Sequence, residues 1–436
     1  NNEINTPNID KLVERGVAFT HAYIPGGTAS AVCMPSRAMI NSSRTLFNLV
    51  QNGKEIPDCD ITMCQTFRAA GYNCHGIGKW HNGTESYTRS FSSGEDIFFG
   101  GMWDHWNVPV CEYRSDGNYD CEIPFVPNFS GNQVPVHVLA DKIHAGVHST
   151  ELFSSDAIDF INEYNSEDPF FLYLSYLAPH DPRTMPEKYR TMYKAEDITL
   201  PPNFMEMPAF SFGWADRGRD EAVASFPRNP DEIKQHIADY YAMISHIDDN
   251  VGKIIDALER KGILDDTIIV FTSDNGPALE GSVGDLRGGK YLAYEAGQKV
   301  PFMIKWNNNN GLWEAGTTRE QSAVLADMFP TLIDLCGITG NNGQKSYLPA
   351  DRTIDGVSMM PVITDDEVIH TKEHPILHMK REDIKAIQYT VTTESVKEKY
   401  KDYDYPILND NEYITFKYFD KIQNDNSAFF DKYRKN

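Results

Sequence analysis

Three apolar stretches of the chain each end in a short polar run whose residue types suit acid–base chemistry and ion binding. The runs read GKWH, APHDP and TSDNG. They contribute Lys79, His81, His180, Asp274 and Asn275. Imidazole changes its protonation state near neutral pH, lysine binds anions, and carboxylate and amide oxygens bind hard cations. Because ligands of open α/β sheets bind at the carboxyl ends of the strands, we expect these side chains to lie together.

A cysteine in the stretch AVCMPSRAM adds a candidate nucleophile. Pro35 suits the first turn of a helix, so Cys33 is predicted to lie where free backbone N–H groups and the helix dipole favour anions. Arg37 adds a guanidinium that can hold an oxyanion through two hydrogen bonds. An unmodified thiol at this place would be acidified and nucleophilic. On composition alone, a single cysteine is more often a small buried apolar residue.

Each of these residues, taken singly, also has an ordinary structural explanation. A histidine after a strand is commonly held by neighbouring loops, and Asp-Asn-Gly is a frequent turn sequence. The combination of three strand ends with Cys33 and with the glycine-flanked Lys290 of RGGKYLAYEAGQKVP is better explained by one shared anion site.

The elements that must position this site follow an α/β pattern. Predicted helices alternate with buried strands, which indicates a largely parallel sheet covered on both faces. The apolar parts of FFLYLSYLAPHD and TIIVFTSDNG are predicted to be buried strands of that sheet. Apolar residues spaced by three and four from Ile233 onward predict a long amphipathic helix that ends near Gly262.

Composition and charge narrow the class of protein. The 436 residues are 41% hydrophobic, which is enough for a large core, and the net charge of -23 argues against binding to nucleic acid or to an anionic membrane surface. No apolar run has the length of a membrane span, and no signal peptide is visible. Seven cysteines are too few for a disulfide scaffold, although Cys111 and Cys121 flank a turn-rich stretch and could pair. The oligomeric state stays open.

The motifs together resemble those of the type I, formylglycine-dependent sulfatases of the alkaline-phosphatase-like superfamily. CMPSR is similar to the CxPSR signature of that family, and GKWH, PHDP, SDNG and RGGKYLAYEAGQKVPF resemble its further blocks in order and spacing over residues 6 to about 362. The resemblance implies a sulfatase catalytic α/β domain at 1–365 with a large, mostly parallel sheet between helices. It also implies a smaller C-terminal α+β subdomain at 366–436 with an antiparallel sheet, to which ILHMKRE, IKAIQYTVTT and EYITFKYFDK would contribute strands.

The resemblance assigns the nucleophile and a metal. Cys33 would be converted to formylglycine by the formylglycine-generating enzyme, and one hydroxyl of the hydrated aldehyde would attack sulfur to give a covalent sulfo-enzyme. The second hydroxyl would then expel sulfate, which splits one difficult step into two easier ones. Asp274, Asn275 and the modified Cys33 would bind Ca²⁺.

The remaining roles implied by the resemblance are electrostatic and acid–base. Arg37 and Lys79 would support the diol and the metal, and Lys290 would contact the sulfate oxygens together with Lys79 and His180. His81 would be the base of the elimination step, and His180 the acid for the departing alcohol.

The sequence departs from the family pattern at two places. Sulfatases usually open with an apolar strand that ends in a pair of aspartates completing the metal site, and this chain begins after that point. We expect the complete protein to have such a strand, because a sheet without an inner strand would expose backbone groups and apolar surface. In addition, Asn41-Ser42-Ser43-Arg44 stands where the family usually has threonine-glycine before the arginine.

The predicted substrate is a sulfated polysaccharide or oligosaccharide, with a role in polysaccharide degradation. The loop FFGGMWDHWNVPV, with Trp103, His105 and Trp106, and Arg183 of PHDPR would suit stacking on sugar rings and pairing with anionic groups. Anchoring of loops by the same tryptophans is an equally good explanation. By the resemblance alone, we expect a periplasmic or secreted bacterial protein.

Three other functions remain open at this point. A phosphatase or phosphonate monoester hydrolase of the same superfamily would share the fold, and an inactive, glycan-binding relative would bind the substrate without turnover. A cysteine hydrolase using Cys33 and His180 would leave Lys79, Lys290 and the Asp274-Asn275 pair unexplained.

Overall fold

The structure is a computed structural model of the chain. The residues that it describes are 3–27, 32–46, 48–49, 53–125, 136–202, 204–207, 223–278, 286, 288–292, 294–338, 347–349, 351–370, 376–380, 383–391 and 413–418. Within these ranges, no helix combines the length and the apolar character needed to cross a membrane.

The helices include the long amphipathic one predicted from Ile233. In chain order they are α1 Pro7–Arg15, α2 Cys33–Ser42, α3 Met63–Ala69, α4 Thr84–Ser90, α5 Ser149–Glu163, α6 Glu187–Arg190, α7 Pro230–Lys261, α8 Glu295–Gln298, α9 Met328–Leu335 and α10 Met360–Asp365. The side chain of Asn229 caps α7 by accepting a hydrogen bond from the Asp231 amide at 2.8 Å. Gly262, with φ of 77°, ends it in the left-handed conformation, as predicted.

The strands are short and group into several sheets. In chain order they are β1 Val17–Phe19, β2 Ala22–Tyr23, β3 Gly26–Gly27, β4 Asn73–Lys79, β5 Ser93–Phe98, β6 Pro109–Val110, β7 Glu122–Phe125, β8 Val136–Leu139, β9 Lys142–Ile143, β10 Phe170–Ser175, β11 Ile269–Thr272, β12 Phe302–Lys305, β13 Thr317–Arg319, β14 Ala323–Val324, β15 Ile376–Lys380, β16 Asp383–Val391 and β17 Tyr413–Tyr418.

Two sheets carry the strand ends at which the predicted site lies. The first has the order β10-β4-β5 and is entirely parallel. The second has the order β11-β12-β1-β13, in which β12 runs antiparallel to both of its neighbours and β13 runs parallel to β1. The predicted α/β class is therefore confirmed, with a second sheet that is mixed rather than parallel.

A large cavity separates these two sheets. β10 and β11 each have one partner strand among the described residues, and both line the same cavity of about 1810 Å³. Apolar side chains of α7, such as Ile254, and of α9, such as Leu332, also line it. The prediction that both strands are buried is therefore wrong for this structure, since every β11 residue and most β10 residues are only half-buried.

The C-terminal strands form an antiparallel sheet attached to the main body. β15 and β17 fall within two of the segments predicted to be strands, β16 overlaps the third and begins one residue before it, and each pairs antiparallel with the next. β15 also pairs in parallel with β3, a strand near the start of the chain. The sequence boundary between a catalytic domain and a smaller subdomain stays a prediction.

All seven cysteines are free in the structure. Cys111 is buried and Cys121 is exposed, and the guanidinium of Arg114 lies 3.4 Å from the Cys121 sulfur. The disulfide that the sequence allowed between Cys111 and Cys121 is not formed.

The end of α2 explains why glycine is expected at position 43. Ser43 caps this helix with φ of 53°, in the left-handed region that favours glycine. Its hydroxyl compensates, because it donates to the carbonyl of Ala326 at 2.7 Å and accepts from the amide of Gly356 at 3.2 Å. The strained backbone at Ser43 is therefore offset by two hydrogen bonds, one to the segment before α9 and one to the segment between α9 and α10.

A buried carboxyl group on α5 carries an unusual pKa. Burial, followed by the negative charges of Asp96 and Glu95, raises the pKa of Asp156 to about 8. Asp96 itself accepts from Lys142 Nζ at 2.9 Å and lies 3.2 Å from His144 Nε2. The ammonium group of Lys142 binds Asp96. We therefore expect Asp156, of the two carboxyl groups, to be the one that keeps a proton at neutral pH.

We predict that the two small substitutions at position 43 differ in stability. Ser43→Ala keeps the strained backbone and loses both hydrogen bonds, whereas Ser43→Gly loses the bonds but relieves the strain. Urea unfolding should therefore show Ser43→Ala to be less stable than Ser43→Gly by about 1 kcal/mol. Equal stability of the two variants would contradict the strained conformation.

We predict that Asp156→Asn stabilises the protein in a pH-dependent way. The unfolded chain releases this proton near pH 4, whereas the folded protein retains it to about pH 8, so stability falls as the pH rises across this interval. The gain from Asp156→Asn, measured as a shift of the melting temperature, should be larger at pH 9 than at pH 5 and correspond to a few kcal/mol. Asp159→Asn, at an exposed position of the same helix, is the control. A gain that does not change with pH would refute the raised pKa.

Candidate active site

Cys33 lies at the first position of α2 and is buried. The amide of Asn275 donates toward its sulfur at 3.5 Å. Asn82, three residues after the end of β4, fixes the first turn of the helix by donating to the carbonyls of Met34 at 2.8 Å and Gly53 at 2.7 Å. The start of α2 thus presents Cys33 to the cavity, with the helix dipole behind it.

Arg37, one turn into α2, connects three strand ends. Its Nε donates to the carboxylate of Asp274 at 2.7 Å, which follows β11. Its Nη1 donates to the backbone carbonyl of Lys79 at 2.8 Å, at the end of β4, and to the hydroxyl of Ser175 at 2.5 Å, at the end of β10. The structure therefore brings together the three sequence clusters that were predicted to share an edge.

Three positively charged side chains lie around the carboxylate of Asp274. Burial alone would raise the pKa of this carboxyl group, but the positive charges of Arg37, Lys79 and Lys290 outweigh burial and hold the pKa well below its usual range. Burial lowers the pKa of Lys79, and the neighbouring Arg37 lowers it further. Three cations thus lie around the Asp274 carboxylate, which leaves a local excess of positive charge for an anionic ligand.

His180 and Lys290 lie side by side in the cavity wall. Lys290 Nζ is 3.3 Å from His180 Nε2. The other ring nitrogen of His180, Nδ1, lies 3.0 Å from the carboxylate of Asp181 and 3.0 Å from its carbonyl. The backbone of Lys290 is fixed by donation from its amide to the carbonyl of Pro277 at 2.7 Å, just after Asp274-Asn275.

His81 sits behind this arrangement in a constrained conformation. Its φ of 70° is unusual for a residue other than glycine. Burial, followed by the positive charges of Lys79 and Arg37, lowers its pKa to about 3, so its imidazole is neutral at pH 7. Gly101 packs against the ring, since a Cβ at Gly101 would lie 2.8 Å from His81 Cε1.

The cavity is lined by seven of the residues predicted to form the site. They are Cys33, Arg37, Lys79, His180, Asp274, Asn275 and Lys290. His81 is not among the described residues that line it, and the same holds for the residues predicted to bind sugar.

Those predicted sugar-binding residues take other places. His105 is completely buried, with both ring nitrogens in hydrogen bonds, so the structure does not place it in contact with a ligand. Trp106 is half-buried and packs edge-on against His148, at 5.1 Å between ring centroids. Arg183 contacts Nδ1 of His236 on α7. The contact with His148 is compatible with anchoring of the loop, and sugar binding by Trp106 stays a prediction.

Sequence reasoning missed two polar residues of the site. Ser175 is the one hydroxyl in the apolar run FFLYLSYL other than tyrosine, and it lies at the end of β10, where it contacts Arg37. Asn82 directly follows GKWH. A polar residue at the end of an apolar strand was the available signal in both cases.

The described residues do not complete a calcium site. Asp274 and Asn275 offer hard oxygen ligands, but Ca²⁺ takes about 6–8 such ligands. Asp274 is already engaged by Arg37 through one oxygen and by the Asn275 amide through the other. Within the part of the chain that the structure describes, no group of three or more histidine, cysteine or acidic side chains is arranged to hold a metal.

Solved structures with the same fold include two that were determined with a bound ligand. Ps i-CgsB in complex with k-i-k-neocarrahexaose matches with a TM-score of 0.61 and 24% identity, covering 86% of this chain and 74% of that one. A protein solved with its substrate D-glucosamine-2-N,6-O-disulfate matches with a TM-score of 0.63 and 21% identity, covering 96% and 83%. The phosphonate monoester hydrolase of Silicibacter pomeroyi matches with a TM-score of 0.59 and 20% identity, covering 90% and 76%. These matches confirm the predicted alkaline-phosphatase/sulfatase-like fold.

Curated relatives are sulfatases of several organisms. Human N-acetylgalactosamine-6-sulfatase is 25% identical over 415 residues, which cover 87% of this chain and 65% of the human protein. The arylsulfatase of Clostridium perfringens is 29% identical over 354 residues, covering 78% and 71%. The ulvan-active sulfatase of Formosa agariphila is 26% identical over 342 residues, covering 77% and 57%. The chain thus spans about two thirds of the length of these relatives.

The sequence profile of the sulfatase family matches residues 1–338, which include every residue of the site described above. This match confirms the resemblance seen in CMPSR and the four later motifs. The chain therefore belongs to the sulfatase family.

Proposed function

We propose that this protein hydrolyses sulfate esters. The observation that carries the proposal is the position of Cys33, at a helix start and in one cavity with the three cations that lie around the Asp274 carboxylate. A sulfate ester is an anion whose leaving oxygen gains negative charge in the transition state. Fixed positive charges in a buried site stabilise such a transition state strongly, because no solvent must reorganise.

The nucleophile in this proposal is Cys33 after conversion to formylglycine by the formylglycine-generating enzyme. The site fits an oxygen at that position, since the Asn275 amide already donates toward the Cys33 sulfur. Formylglycine would supply a hydrated aldehyde whose hydroxyl attacks sulfur. The chain itself contributes Arg37, which orients the start of α2 relative to the strand ends, and Lys79, which adds positive charge beside it.

Proton transfer in this proposal is divided between two histidines. His180 lines the cavity with Nδ1 held beside the Asp181 carboxylate, and it is the proposed acid for the leaving alcohol. The neutral ring of His81 can accept a proton in the later elimination. Lys290, next to His180, is proposed to hold a sulfate oxygen within reach of the acid.

Calcium is retained as a proposal in which Asp274 and Asn275 provide two of the ligands. The family resemblance supports it, whereas the described residues alone do not provide a complete set. Calcium dependence is testable by removing the ion with a chelator and titrating it back while activity is measured.

We propose a sulfated carbohydrate as the substrate. The relatives include enzymes named for N-acetylgalactosamine-6-sulfate and for ulvan, and solved structures of the same fold contain a neocarrahexaose and a glucosamine disulfate. Lys79, His180 and Lys290 are the proposed contacts to the sulfate group. Trp106 and Arg183 lie on neighbouring loops, away from the described cavity wall.

We predict that the active full-length protein carries formylglycine at position 33. Mass spectrometry of the tryptic peptide containing Cys33 should show sulfur replaced by oxygen together with the loss of two hydrogen atoms, which distinguishes the aldehyde from a serine side chain. Cys33→Ala should abolish sulfatase activity, while Cys59→Ala, at an exposed cysteine, should leave it unchanged. Full activity with an intact thiol would contradict the proposal.

Faster turnover of a phosphate or phosphonate ester than of the matched sulfate ester would favour the related hydrolase function instead.

We predict that Lys290→Ala lowers kcat/KM for sulfate esters by about 10²–10³-fold, the usual cost of removing one preorganised charge from a developing anion. Steady-state kinetics on p-nitrophenyl sulfate measure the effect. Lys188→Ala removes a lysine whose side chain is 70% exposed and serves as the matched control. A loss below about threefold would exclude Lys290 from contact with the reacting sulfate.

A further inference from the structure

Two buried histidines stack on each other next to the loop that carries His180. The rings of His105 and His148 are 5.0 Å apart with an interplanar angle of 13°, and neither residue is exposed to solvent. His105 lies in the loop between β5 and β6, and His148 caps the start of α5. Neither histidine lines the cavity among the described residues, and the proposed mechanism uses neither.

Each of these histidines holds one carbonyl of the same loop. His105 Nε2 lies 2.9 Å from the carbonyl oxygen of His180, and His148 Nε2 lies 2.9 Å from the carbonyl oxygen of Thr184. Because a carbonyl only accepts hydrogen bonds, both Nε2 atoms carry the proton. The two contacts fix residues 180–184 at both ends.

The partners on the opposite side of each ring agree with this tautomer. His105 Nδ1 accepts from the hydroxyl of Ser149 at 2.8 Å, and His148 Nδ1 accepts from the amide of Thr150 at 3.2 Å. Burial, the first cause in both cases, lowers the pKa of His105 and lowers that of His148 to about 4. Both rings are thus neutral at pH 7 and add no charge next to His180.

The stack is itself held by neighbouring rings. His246 of α7 lies 4.8 Å from His148 between centroids, and Tyr189 of α6 stacks on His246 at 4.5 Å. Helices α5, α6 and α7 therefore support the two imidazoles. His105 contacts the backbone of His180 through this hydrogen bond, although His105 itself is not among the described residues that line the cavity.

We propose that His105, supported by Ser149 and His148, is a positioning residue that holds the His180 backbone so that the His180 ring can protonate the leaving alcohol. This inference rests on the proposed sulfatase function. It replaces the expectation from sequence that His105 binds the substrate directly.

The dependence of the rate on the leaving group tests this role. The hydroxyl group of a sugar is a poor leaving group and needs a proton from His180, whereas p-nitrophenolate leaves without one. His105→Leu should therefore lower kcat on a sulfated sugar by about 10–100-fold, a part of the usual contribution of a general acid, with little change in KM. On p-nitrophenyl sulfate, kcat should fall by less than about threefold.

Conservative variants separate positioning from a loss of folding. His105→Gln can still donate to the His180 carbonyl and should recover most of the lost rate on the sugar. Ser149→Ala, a milder change that removes the donor to His105 Nδ1, should give a smaller effect with the same dependence on the leaving group. His137→Gln, at an exposed histidine, is the control and should match the wild type on both substrates.

Two results would overturn the inference. Equal losses on both substrates would indicate a general structural role for His105, and unchanged rates would indicate no role in positioning. If the wild type hydrolyses neither ester, the proposed function fails, and crystal structures of wild type and His105→Gln or Ser149→Ala then decide the inference separately. A displaced His180 ring in the variants would support it, and an unchanged ring would reject it.

Discussion

The architecture of the site depends on one buried guanidinium. Arg37 of α2 binds the carboxylate of Asp274, the backbone carbonyl of Lys79 and the hydroxyl of Ser175, so a single side chain fixes the helix start relative to the ends of β4, β10 and β11. A buried cation is tolerated only when its donors are satisfied, and the loss of one partner of such a pair leaves an uncompensated charge. The helix that carries Cys33 is therefore positioned by this guanidinium in addition to the apolar packing of Ala38, Met39 and Ile40 in the core.

Local charge and overall charge have opposite signs in this protein. The chain carries a net charge of -23, yet the cavity concentrates Arg37, Lys79 and Lys290 around one carboxylate. At physiological ionic strength, exposed charges farther apart than about 8 Å are largely screened, so the cations that line the cavity act on a bound anion more strongly than distant surface carboxylates do. The excess of acidic residues therefore does not argue against an anionic substrate, and it disfavours only extended anionic partners such as nucleic acid.

Sequence reasoning located the parts of the site that follow from strand direction. Lys79 and Asp274 fall at the ends of apolar runs, and the carboxyl ends of neighbouring strands meet wherever a sheet of this class forms. The role of His105 could not be deduced in this way, because it depends on a contact between residues 75 positions apart and on a stack that three helices support. The burial of β10 and β11 was overestimated, since apolar composition indicates what a strand can bury but not whether a neighbour is present.

The loop between β5 and β6 touches both histidines that the mechanism needs. Gly101 packs against the ring of His81, and four residues later His105 holds the carbonyl of His180. The proposed base and the proposed acid therefore share one support, so their separation is set by a short segment of backbone rather than by two independent loops. A buried ring held at both nitrogens and by stacking has little rotamer freedom to lose, which suits it to this task better than a flexible amide. The conformational cost of ordering the acid and the base is thus met on folding, before a substrate arrives.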